Sequence, residues 1–187
     1  MKTFSIQVLL LAAAGAFAAE TPLPPELKSV SIDVKAVASK MDIREGEKKE
    51  KGGRDKSISR ERVLEITART SNAKPAEVVL TTWWLGKPVS GGEMVLLKKA
   101  QQQVQVANAA QKFEVSSGAV EERNKKPEKG ERQVEGLRIA GWIVTVQEPA
   151  TNRLVTYRLS EVSYESLLKP AFKLADLKPA GEEPSGK

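Results

Sequence analysis

With no His and no Cys among 187 residues, any chemistry in this chain falls to carboxylates, lysines, tyrosines and hydroxyls. Ser-His-Asp triads, imidazole or thiolate metal sites, Cys nucleophiles and disulfides are all excluded. Paired acids occur at Glu121-Glu122, at Glu182-Glu183 and around Asp42, Glu45 and Glu47. A general acid needs an apolar wall to raise its pKa, and each of these groups sits among other charges. The Asp42/Glu45/Glu47 spacing is also sparser than the oxygen register of a calcium loop. Ser163-Tyr164-Glu165-Ser166-Leu167-Leu168-Lys169 places Ser and Lys near each other but lacks the buried S-x-x-K arrangement of Ser-Lys hydrolases. Gly52-Gly53 and Gly91-Gly92 fall in turns, without the strand-to-helix setting of a phosphate cradle. The expectation is a protein with no catalytic residue, no metal and no cofactor.

Binding chemistry is better represented. Trp83 and Trp84 are adjacent in a stretch that reads as a strand, so their side chains point to opposite faces. Trp84 shares a face with Val78 and Leu80, and this favours it as the inward one. Trp83, beside Lys87 and the glycine loop that follows, then becomes a candidate contact for a partner or a glycan. The alternative is that a C-terminal helix covers it through Tyr164, Leu167 and Leu168. The net charge of +6 leaves acidic polysaccharide open as a ligand. Nucleic acid is not expected, because the basic residues are mixed with acids and no aromatic side chain lies among them.

The elements that would position these residues are strands. Val30, Ile32, Val34 and Ala36 alternate with Ser31, Asp33 and Lys35; Leu64, Ile66 and Ala68 alternate with Glu65, Thr67 and Arg69. Glu77 to Leu85 is a third strand, apolar on both faces at its end. Shorter strands are expected at Glu93 to Leu97, around Val104 and Val106, and around Phe113 and Val115. From Glu135 to Gln147 the apolar parity changes: Leu137 and Ile139 are odd, whereas Trp142, Val144 and Val146 are even. A bulge at Gly141 would reconcile them. Val155, Tyr157 and Leu159 are expected inward on the next strand, followed by a short helix near 163–169 capped by Ser163. Residues 40–56, with seven basic and five acidic groups, and 121–133, with five and four, read as solvated loops.

The first residues have the pattern of a secretory signal. Met1-Lys2 is followed by an apolar run to Ala14 and by Ala16-Phe17-Ala18, and cleavage is expected after Ala18. The apolar run is too short to span a bilayer, so no stable membrane span is expected after cleavage. Residues 19–27, rich in Pro, would be an extended lead-in, 28–177 a single domain, and 178–187 a disordered tail. About seven short strands and one short helix point to a mainly β, immunoglobulin-like antiparallel sandwich.

The segments VLEITARTSNAKPAEV, TTWWLGKPVSGG, FEVSS and GWIVTVQEPATNRLVTYRLSEVSYESL together resemble small exported immunoglobulin-like proteins of bacterial envelopes, some of them associated with type IV pilus systems. The resemblance spans about residues 28–170 and carries no catalytic signature. It implies a non-enzymatic sandwich in the periplasm, at the outer membrane or outside the cell, working with protein partners in pilus assembly, display or adhesion. The sequence after Glu20, Thr21-Pro22-Leu23-Pro24-Pro25, departs from a pilin, whose apolar helix would continue there. An accessory or surface component is therefore implied. The rival expectations are a carbohydrate-binding module and, more remotely, a carboxylate enzyme.

Overall fold

A computed structural model describes residues 22–48, 54–125, 133–168 and 173–180; the signal sequence expected at residues 1–18 lies outside them. The chain forms an antiparallel β-sandwich. Its strands are β1 (Val30–Lys48), β2 (Arg54–Thr70), β3 (Ala76–Pro88), β4 (Val95–Val106), β5 (Gln111–Ser116), β6 (Val120–Lys125), β7 (Gln133–Gln147) and β8 (Leu154–Leu159). In the first sheet β1 pairs with β2, whose second half pairs with β5 and whose first half pairs with β6. The second sheet has the order β4-β3-β7-β8. Strand β7 belongs to both sheets, since residues 133–136 pair with β6 and residues 137–147 with β3. The crossing falls at Gly136, where φ is +106° and a Cβ would collide with the Glu121 carbonyl. Only glycine fits there.

Alternating side chains of both sheets meet in one core. Val30, Ile32, Leu64, Ile66, Val78, Leu80, Trp84, Val144 and Val146 are buried in it, with Val34, Phe113, Val115, Trp142 and Val155 packed alongside. The bulge expected near Gly141 is present: the β3–β7 register slips between Leu85 opposite Gly141 and Gly86 opposite Ile139, leaving Ala140 as the extra residue. A second bulge lies at Val155, between the Val146–Thr156 and Gln147–Leu154 pairs. After it the parity of β8 changes, so Tyr157 and Leu159 face outward, contrary to expectation.

A second apolar cluster covers the outer face of the second sheet. Trp83, Leu85 and Ile143 are buried there beneath Tyr164, Leu168 and Leu174 of the C-terminal segment. That segment contains two 3-10 turns, Val162–Leu167 and Lys173–Asp176, the first lying where a short helix is expected near 163–169. Glu161, not Ser163, is the residue before the first turn, and it makes no side-chain capping bond. The Tyr164 hydroxyl donates to the carbonyl of the bulged Ala140 at 3.1 Å. Burial first, then the nearby charge of Glu161, raises the Tyr164 pKa and keeps it a donor. Beyond Leu177 the backbone lies along the edge of β4: Leu96 donates to Lys178 at 2.9 Å and Ala180 donates to Leu96 at 2.8 Å. The disordered tail expected from 178 therefore has an ordered start, because β4 offers unpaired backbone groups that it satisfies. Residues 181–187 lie outside the described residues.

Three further corrections apply. Pro25–Lys28 is a helical turn and not an extended lead-in; Pro25 suits its first position and Leu27 is buried in the main core. The separate strands expected at 93–97 and around Val104 are one strand, β4. The described parts of the charged segments 40–56 and 121–133 are strand too, with 49–53 and 126–132 outside the described residues.

Gly141 is where the C-terminal segment comes closest to the sheet. A Cβ there would fall on Ser160 Oγ and 2.5 Å from Tyr164 Cε2. Gly141→Ala should lower stability by about 1–3 kcal/mol through overpacking. Tyr164→Phe, which loses only the bond to Ala140, should cost about 1 kcal/mol. Urea midpoints of the two variants check both values and their order.

Candidate interaction site

The structure separates the two tryptophans by placing a layer on each side of β3. Trp84 is fully buried between the sheets, as its parity with Val78 and Leu80 predicts. Its indole N–H finds no hydrogen-bond partner among the described residues. Trp83 is only 6% exposed. Its indole N–H donates to Thr145 Oγ1 at 3.4 Å, and Lys99 Nζ sits 4.6 Å from the ring centroid. The C-terminal turns and Lys99 thus occupy the surface that a sugar ring or partner side chain would need. Lys87 remains exposed at the end of β3, opposite Arg138 in the register. Trp83 and Lys87 therefore form no joint contact surface.

The charged segments produce a different candidate. The distal ends of β1 and β2 and the short run of β6 with the start of β7 lie side by side, in the order β1-β2-β6-β7. They form a four-stranded arm that runs past the core. In β1 every residue from 35 to 46 is exposed, on both faces of the strand. One row of the arm reads Ile43–Ile58–Glu122–Gly136 across the four strands, and the next same-face row toward the core reads Met41–Arg60–Val120. This face continues the inner face of the sandwich, since Ile58 and Arg60 share the parity of Leu64 and Ile66 on β2. Only Val120 of these residues reaches the core. Met41 is 57% exposed and Ile43 44%, and Val37, the extra residue of a bulge between Ala36 and Ala38, is 50% exposed. Sequence reasoning missed the arm because it sought buried alternation there; Met41, Ile43 and Ile58 within a charged run were the available signal.

Several charges on the arm are paired. Across strands, Arg60 Nη1 donates to Glu122 Oε2 at 2.7 Å and Lys125 pairs with Glu135 at 2.7 Å; within β6, Arg123 pairs with Glu121 at 3.0 Å. The bond from Arg60 is the main reason that the Glu122 pKa is lowered; the charges of Arg60 and Arg138 and a bond from Asn124 add to it, against the opposing effect of burial. A general acid needs the opposite shift. Beside the arm, where β7 leaves the first sheet, an open cleft of about 510 Å³ has Leu97, Ala119, Val120 and Leu137 on its walls and Glu121, Arg123 and Glu135 along it. Its ionic groups already have protein partners, so it offers no excess charge to an ionic ligand. Among the described residues no three Asp or Glu side chains converge as a metal site.

No protein-family model matches the sequence, and no curated protein does. Among solved structures, a protein from Akkermansia muciniphila aligns over 75% of this chain and 77% of its own, at 9% identity and a TM-score of 0.33. A structural genomics target aligns over 66% and 90%, at 13% identity and a TM-score of 0.23. These likenesses are loose, and the fold assignment stands on strand order and core. The class so defined is an antiparallel β-sandwich with a projecting arm and a C-terminal cover.

Two measurements check this description. Trp83→Ala should destabilise the protein by about 3–5 kcal/mol, as loss of a buried aromatic does, while retention on acidic polysaccharide is unchanged wherever the variant remains folded. Glu122, with its folded pKa below its ordinary 4.5, contributes stability that is present above that value and lost as pH falls through the lower folded value. Glu122→Gln should therefore flatten the acid limb of a stability-versus-pH curve and leave its slope unchanged near neutrality.

Proposed function

We propose that the chain is an exported, non-enzymatic interaction protein, an accessory or surface component of a pilus-like or other envelope assembly, and that the β1-β2-β6-β7 arm engages its protein partner. The observation that carries this reading is the exposure of Val37, Met41 and Ile43 along a strand otherwise lined with charge. Apolar side chains flanked by ionic ones are the usual makeup of an interface centre with a polar rim. The secretory pattern of Met1 to Ala18 supports export. The lowered pKa of Glu122 supports a role for the arm's acids in holding strands together rather than in proton transfer. The glycan-binding alternative loses its principal residue with the covering of Trp83.

Co-purification from native envelopes tests the reading. The wild-type protein should bring down a defined envelope partner. Met41→Glu should reduce that capture roughly tenfold or more, as expected for a residue at an interface centre, with an unchanged urea midpoint. Wild-type protein recovered alone, or Met41→Glu protein with full capture, would count against it.

A further inference from the structure

Strand β1 is the outermost strand of the arm and pairs with β2 alone among the described residues. Its other side presents a row of backbone donors and acceptors, which natural proteins usually blunt with short strands, charged side chains, Pro, bulges or coverage; the charges on this strand, among them Lys40, Asp42, Arg44 and Glu45, are of both signs and can pair rather than repel. Here the strand runs for 19 residues without a Pro, and its bulge at Val37 sits toward the core, leaving the distal half regular as far as Glu45. Of the four exposed large apolar side chains among the described residues, three are on this strand.

We propose that this edge pairs with the same edge of a second copy, antiparallel, about a two-fold axis at Ile43. The inference rests on the reading of the arm as an interaction element and names what its open edge binds. In this register Ile43 faces Ile43 of the second copy, and Asp42 of each copy faces Arg44 of the other. Ile43 already lies opposite Ile58 within its own sheet. The two-fold axis therefore makes a continuous row Ile58–Ile43–Ile43–Ile58 on one face, with two opposite-charge pairs on the other face. Cross-strand pairs of both kinds are stabilising. In the single chain Arg44 and Asp42 bond each other at 3.1 Å, both largely exposed, an arrangement of little net value that is readily exchanged.

Neighbouring registers are poorer. Centred on Asp42, the pairing sets Asp42 against Asp42 and Lys40 against Arg44, which are like charges. Centred on Met41, it sets Lys40 against Asp42 but Ile43 against Ser39, and the isoleucine row is lost. A register offset by a single residue across the pair places apolar side chains opposite charged ones on the other face.

The chain has no Cys, so single-cysteine variants read the register directly. Residues directly opposite on antiparallel strands have Cα atoms roughly 4.5–5.5 Å apart, within disulfide range. Ile43→Cys in the mature protein should form a disulfide-linked dimer under mild oxidation, and faster than either Val37→Cys or Met41→Cys. Sedimentation equilibrium should show a reversible dimer. Asp42→Arg and Arg44→Asp should each weaken it about tenfold or more, and the double exchange should restore it, with circular dichroism unchanged throughout. A monomer at every concentration into the millimolar range would overturn the inference. So would cross-linking of Ile43→Cys no faster than of Val37→Cys, or a dimer indifferent to the single charge reversals. A monomer that still captures an envelope partner through Met41 would overturn only this inference. A dimer that captures none would overturn only the proposed function.

Discussion

The architecture depends on the burial of β3 from both sides. A strand whose successive residues are Val78, Val79, Leu80, Thr81, Thr82, Trp83, Trp84 and Leu85 has no polar face to offer solvent. It is stable only with apolar material above and below it, and two different structures supply that. The first sheet covers the face that carries Trp84, and the C-terminal turns cover the face that carries Trp83. Much follows from this requirement: the glycine at 141, the tyrosine hydroxyl bound to the bulged carbonyl of Ala140, and the backbone contact at Leu96 that holds the end of the cover in place.

Alternation in the sequence marked the strands that have one wet face. Val30 to Val34, Leu64 to Ala68 and Val144 to Val146 are legible because period-two burial writes itself into residue type. The parity change across Ala140-Gly141 was legible for the same reason. Trp83 was not, since its cover comes from residues some eighty positions away, and adjacent tryptophans alone do not tell a buried third layer from an open binding face. Tyr157 was misread because the bulge at Val155 carries no glycine or proline to announce it.

The arm was illegible for a deeper reason. Strands normally become visible in sequence through what they bury, and β1 beyond Ala36 buries almost nothing. Its order comes from backbone pairing with β2, and the arm's from ions such as Arg60 of β2 with Glu122 of β6, a composition that an unstructured charged loop would share. The site residues suggested by sequence were thus drawn to the aromatic pair, where burial is greatest. Met41 and Ile43, two of the four exposed large apolar side chains among the described residues, lay within a segment set aside for its charge.

The cover of the second sheet also bears on the order of folding. All eight strands precede Tyr164, Leu168 and Leu174 in the chain, so both sheets can pair before the cover is laid down. Until those residues arrive, Trp83, Leu85 and Ile143 stay wet, and the domain has its strands without its full apolar stability. Docking of the C-terminal segment is therefore a distinct step, and the outer face of β3 gains its apolar stability only with it.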